Sequence, residues 1–185
     1  ILTGTERMKK RPIKILVDAL EEIGAKIEYQ EKKGYPPLII NKKISQNKNS
    51  ISIRGDISSQ YISSLLMIAP ILKNGLIIKI ISPFYSKPYV MMTLNLMKKF
   101  GINYEISKDI ISIKNQKYKE ASYKVESDWS AASYWYSFLS INKMFKEIRL
   151  IGLRKDSFQG DQIIKKIMSL FNVETHYDKD GVILR

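Results

Sequence analysis

The chain has 185 residues, enough for one ordinary domain or parts of two; 44% are hydrophobic, so a sizeable core is possible. With no cysteine, it has neither a disulfide framework nor a thiolate nucleophile, and no apolar run approaches the roughly 18 residues of a membrane helix. The net charge of +13 invites a nucleic-acid partner, but the lysines are scattered among isoleucines and only Lys9-Lys10-Arg11 forms a run of three, which favours a solvated surface.

In chain order, Arg11-Pro12 is expected to open an amphipathic helix, with Pro12 in its first turn, ending near Gly24. An alternating strand follows through Tyr29. Ser50–Arg54 alternates as a strand, and the helix after it runs from the Ser58-Ser59-Gln60 stretch to Pro70. Leu76–Ile81 reads as a buried strand. A second helix starts at Ser86-Lys87-Pro88, with Val90, Leu94, Met97 and Phe100 at helical spacing. Strands at Ile102–Ile106 and Ile110–Lys114 close this unit, whose order is β-α-β-α-β-β. The same script recurs as strand Tyr123–Glu126, helix Ser130–Ile141, strand Glu147–Leu153, helix Asp161–Phe171 and strands Val173–Tyr177 and Val182–Leu184.

The repeat is plainest at the helix ends. Leu20, Met97 and Met168 each begin the last turn of a helix, a stop residue and an alternating strand, and they lie 77 and 71 residues apart. The stops are Gly24, Gly101 and Asn172, residues that tolerate the left-handed conformation at a helix C-terminus. The chain therefore holds about two and a half α/β units, each a sheet covered on one face by two helices. Ile1 in place of an initiator methionine leads us to expect a piece of a longer protein.

In such units the helix N-termini follow the C-terminal ends of strands, where α/β proteins bind ligands. Candidate caps lie at Thr3–Arg7, Asp56–Gln60, Ser82–Tyr89 and Asp128–Ser130. Ser58 or Ser59 alone reads equally well as a plain cap or as a ligand contact, Arg7 as surface charge, and Asp128 as a cap. Together with Gln60, Ser86 and Tyr89 they would suit a small, charged, hydroxylated ligand.

Taken in register, the stretches LTGTERMKKRPIKILVDALEEIGAKI (2–27), YPPLII (35–40), GDISSQYISSLLMIAP (55–70), SKPYVMMTLNLMKKFGI (86–102), VESDWSAASYW (125–135) and SFQGD (157–161) resemble the EPSP synthase family. The resemblance implies an enolpyruvyl transferase fold, with residues 1–124 in the shikimate-phosphate-binding domain (half unit 1–48, complete unit 50–114) and residues 125–185 forming one unit of the second domain. It implies transfer of the enolpyruvyl group of phosphoenolpyruvate to the 5-hydroxyl of shikimate 3-phosphate with release of phosphate. Neither cofactor nor metal is called for, and His176 has no partner at metal-ligand spacing.

Carried over by position, Arg7 would bind phosphoenolpyruvate, while Ser58, Ser59 and Gln60 would hold shikimate 3-phosphate, with Gln60 also near phosphoenolpyruvate. Ser86 and Tyr89 would contact shikimate 3-phosphate, and Asp128 is a further candidate. The family's usual Glu-Gly-Asp is here Glu126-Ser127-Asp128. The family's main catalytic residues match no position in this chain, so no catalytic residue is expected in it and the chain alone is expected to be inactive. The resemblance implies a cytoplasmic enzyme, usually monomeric, without nucleic-acid or membrane partners. The alternatives are a relative acting on UDP-N-acetylglucosamine and a basic RNA-binding βαβ module.

Overall fold

A computed structural model describes every residue except Lys42, Lys43, Ile57 and Lys143. Two positions of the expected half unit 1–48, Lys42 and Lys43, and Ile57 of the expected Asp56–Gln60 cap thus lie outside the described residues. The chain divides into two compact units, Ile1–Ala121 and Ser122–Arg185.

The first unit begins with a short helix, α1 (Glu6–Lys9), then α2 (Lys14–Glu22) and an antiparallel pair, β1 (Ile27–Tyr29) and β2 (Leu38–Ile40). Helix α2 starts later than the sequence suggests. Pro12 lies ahead of the helix, not in its first turn, because Arg11 N–H closes the preceding turn on Met8 O at 3.1 Å and Ile13 N–H donates to Gly34 O at 2.8 Å. The complete repeat follows as β3 (Ser50–Ile53), α3 (Ser59–Ile68), β4 (Leu76–Ile80), α4 (Lys87–Lys99), β5 (Glu105–Ser107) and β6 (Ile110–Ile113). Its sheet runs β3-β4-β6-β5, with β3 parallel to β4 and the other pairs antiparallel.

Periodicity explains this core. Ile62, Leu65, Leu66 and Ala69 fall on one face of α3 and its short 3-10 extension, Val90, Leu94 and Met97 on one face of α4, and all are buried. Every second residue of β4, namely Leu76, Ile78 and Ile80, points into the same cluster with Ile51, Ile53, Ile111 and Ile113. Each such aliphatic side chain contributes about 1.5–3 kcal/mol through its burial. Ala19 of α2 and Ile23, the residue that caps its C-terminus, join this cluster, so the preceding half repeat is packed onto the complete one.

The second unit contains α5 (Trp129–Ile141), β7 (Ile148–Ile151), α6 (Ile164–Ser169) behind a 3-10 turn at Gly160–Ile163, β8 (Thr175–Tyr177) and β9 (Gly181–Leu184). Its sheet runs β7-β9-β8 and is wholly antiparallel. The expected strand Tyr123–Glu126 is absent: Val125 is 80% exposed, and this stretch makes no ladder with β7. The contact comes one residue later, where Ser127 N–H donates to Gly152 O at 2.9 Å and Ser127 Oγ to Ile151 O at 2.8 Å. Gly152 has φ +84°, and a Cβ there would fall 2.3 Å from Ser127 Oγ.

The three helix stops have the expected conformation, with φ of +106° at Gly24, +81° at Gly101 and +59° at Asn172. No helix among the described residues is long and apolar enough to cross a membrane.

Candidate functional site

At the start of α3, Ser58 is the N-cap and its Oγ accepts a hydrogen bond from Gln60 N–H at 3.3 Å. Ser86 occupies the corresponding position of α4 but makes no side-chain cap bond, and its Oγ is buried without a hydrogen-bond partner among the described residues. Because β3 and β4 are parallel neighbours, the helices that follow them start side by side at one edge of the sheet. The result is an open cleft of about 680 Å³ lined by Ser58, Ser59, Gln60, Ser86 and Tyr89, together with Arg11, Ser63, Met92 and Thr93.

Five of the seven expected site residues therefore lie in one cleft. Arg7, exposed on α1, is not among its lining residues. Asp128 belongs to the other compact unit, where it caps α5 by accepting from Ser130 N–H at 2.8 Å. Arg11, Ser63 and Thr93 were not singled out from the sequence. Ser63 follows Ser59 and Thr93 follows Tyr89 by four residues, so helical spacing alone puts each beside an expected residue. Thr93 Oγ1 donates to Ser63 Oγ at 3.1 Å, which joins the two helices along the floor of the cleft.

The electrostatics are one-sided. Arg11 is charged, no carboxylate is found among the described lining residues, and the N-termini of α3 and α4 add positive potential. Asp56, just before the cleft, is taken up by other partners. Arg54 donates to both its oxygens, at 3.0 and 2.6 Å, and Ser82 Oγ donates at 3.0 Å. The Arg54 hydrogen bonds foremost, with Ser82 assisting, hold the Asp56 carboxyl down at about 2. Ser82 Oγ also accepts from Gly55 N–H at 2.8 Å, tying the ends of β3 and β4 together.

Elsewhere, a cleft of about 470 Å³ in the second unit is lined by Glu126, Arg154, Lys155, Asp156, Asp178 and Lys179 among others. Its charges neutralise one another: Arg154 forks onto Asp156 at 3.0 and 2.8 Å, and Asp178 pairs with Arg149 at 2.7 Å. It offers less to a small anion than the hydroxyl-lined cleft does. Among the described residues, no group of three or more His, Asp or Glu side chains is placed to hold a metal ion.

Comparison with known proteins gives one consistent set of likenesses. The family model described as EPSP synthase (3-phosphoshikimate 1-carboxyvinyltransferase) matches residues 1–184. A 3-phosphoshikimate 1-carboxyvinyltransferase of Bacteroides fragilis is 44% identical over 185 residues, covering 100% of this chain and 45% of that protein. Enzymes of the same name from Buchnera aphidicola and Histophilus somni are 43% and 40% identical over 100% and 98% of this chain, and each is covered to 42%. The chain thus spans under half the length of these relatives. Among solved structures, EPSP synthase from Acinetobacter baumannii superposes with a TM-score of 0.74 at 19% identity, over 98% of this chain and 40% of that one, which establishes the shared fold.

Proposed function

The chain belongs to the EPSP synthase family, and from that premise we propose that it serves transfer of the enolpyruvyl group from phosphoenolpyruvate to the 5-hydroxyl of shikimate 3-phosphate. The observation that carries this reading is the convergence of Ser58, Ser59, Gln60, Ser86 and Tyr89 on one cleft without a carboxylate. A hydroxylated ring bearing a phosphate dianion needs this combination of hydroxyl and amide partners for the ring, helix N-termini for the charge, and no competing anion.

In this reading Ser58, Ser59 and the first N–H groups of α3 receive the phosphate, and Ser86 and Tyr89 orient the ring. The buried, unpartnered Ser86 Oγ gains a hydrogen-bond partner from the ligand. Gln60 lies between the phosphate site and the side on which phosphoenolpyruvate would approach, with Arg7 as the residue that grips phosphoenolpyruvate. Residues 1–124 then belong to the shikimate-phosphate-binding domain and 125–185 to the second domain. The cleft residues bind and orient; none is assigned a proton transfer.

Calorimetric titration of the 185-residue chain with shikimate 3-phosphate tests the reading. Saturable binding is expected, weakened by on the order of tenfold or more in the Ser58→Ala/Ser59→Ala variant, since each charge-assisted hydrogen bond contributes about 1.5–3 kcal/mol. No binding by the folded chain, or equal binding by the double variant, would overturn it.

A further inference from the structure

Arg11 is the one charged side chain among the described residues lining the hydroxyl-bearing cleft, and no ion pair involving it is found among them. Its neighbours on the chain behave differently: Lys9 pairs with Glu6 at 3.0 Å, and neither Lys10 nor Arg7 lines the cleft.

The backbone around Arg11 is fixed on three sides. Arg11 N–H donates to Met8 O at 3.1 Å, Ile13 N–H to Gly34 O at 2.8 Å, and Tyr61 Oη to the carbonyl of Pro12. Tyr61 is the third residue of α3, so this last bond ties the Arg11-Pro12 segment to the helix whose N-terminus carries Ser58 and Ser59. Arg11 shares the lining of this cleft with Ser58 and Ser59 at the N-terminus of α3 and with Ser86, whose Oγ has no partner among the described residues. Serine hydroxyls adapt to many ligands. A guanidinium fork does not, because its paired N–H donors match a phosphate or carboxylate edge.

We propose that Arg11 is a ligand-binding residue of this cleft, and that it sets the preference for a phosphorylated over an unphosphorylated ring by clamping the phosphate against the N-terminus of α3. The inference rests on the function proposed above, to which it adds a specificity determinant outside the Ser-Ser-Gln and Ser-Lys-Pro-Tyr motifs. Lysine at position 11 would supply charge without the fork and would restore only part of the preference.

The experiment is a set of titrations of the 185-residue chain with shikimate 3-phosphate, shikimate and inorganic phosphate, with the Arg11 Nε–H resonance followed by NMR. The Arg11→Gln variant is expected to lose about tenfold to a hundredfold in affinity for shikimate 3-phosphate and little for shikimate. Arg11→Lys should recover part of the loss, and Lys10→Gln, which removes the same charge one residue away, should match the parent chain. Equal weakening by Arg11→Gln and Lys10→Gln, or an equal loss for both rings, would overturn the clamp and leave the proposed function standing. Inorganic phosphate that shifts the Arg11 resonance in a chain blind to both rings would overturn the proposed function and keep the anion-binding role of Arg11. A folded chain that binds none of the three ligands would overturn both.

Discussion

After its first strand, the complete repeat in the first unit and its counterpart in the second follow the same order of helices and strands, yet one has a four-stranded sheet with a parallel pair and the other a three-stranded antiparallel sheet. The difference lies in a single segment. Ser50–Ile53 pairs with β4 along its length, with Ile51 and Ile53 at 2% and 4% exposure filling the core. Its counterpart, Tyr123–Glu126, alternates in the same way but offers one aliphatic residue, Val125, which stays in solvent. Alternation shows which side chains a strand would bury. Whether the strand docks depends on how much apolar surface it has to bury, and four residues with one valine gain little against the cost of ordering the backbone.

The largest expected effect bearing on this contrast is in amide exchange. Ile77 and Ile81 donate their N–H groups to Asn49 O and Ile53 O at 2.7 and 3.1 Å, across the parallel pair. Just past the end of β7, Gly152 N–H donates to the carbonyl of Asp180, the residue before β9, so by alternation the N–H groups of Arg149 and Ile151 point away from the sheet. They should exchange on the order of a hundredfold faster than those of Ile77 and Ile81. Equal protection measured by NMR would mean that 123–126 does pair with β7, and that each repeat has its own four-stranded sheet.

A smaller effect is expected at the helix stops. Asn172 stands at φ +59° where the first unit has Gly101 at φ +81°. Asn172→Gly should stabilise the chain by up to about 1 kcal/mol, and Gly101→Ala should destabilise it by about 1–2 kcal/mol, read from denaturant unfolding. The added Cβ at 101 would meet Lys119 Cγ at 2.7 Å, a flexible side chain that can give way, so the cost comes mainly from the backbone.

Smallest is the contribution of the two acids held low. Asp56 is depressed to about 2, first by Arg54, and Asp178 is depressed chiefly by the N–H groups of Asp180 and Gly181. A depressed carboxyl stabilises the fold above its unfolded value near 3.8 and loses that contribution as pH falls through its folded value. Acid titration followed by carboxyl NMR should find Asp56 ionised down to about pH 2. Ser82→Ala should raise that midpoint, since one donor is removed. A midpoint unchanged by Ser82→Ala would leave the depression to Arg54 and to the backbone N–H of Asp56.

Much of the fold was legible because it rests on periodicity. The apolar faces of α3, α4 and α5 and the stops at 24, 101 and 172 are local signals that the core reinforces. Helix α1 gave no such signal because none of its four residues is buried. Pro12 was misplaced because its fixed φ suits a turn as well as the start of a helix, and the bond to Gly34 that decides the matter is distant in sequence. In the cleft, the expected hydroxyls were found as motifs. Arg11 was hidden in a basic run whose members differ only in where the folded backbone points them.

Ser127 and Gly152 also constrain how this sequence can change. The hydroxymethyl at 127 occupies the space that any side chain at 152 would need. Where the family motif carries glycine at the position of Ser127, that space is open. A side chain at 152 meets two separate barriers, the φ of +84° and the Ser127 hydroxymethyl, and loss of the serine removes only the second. Ser127, 25 residues away in sequence, thus adds a second lock to a glycine that the backbone conformation already requires.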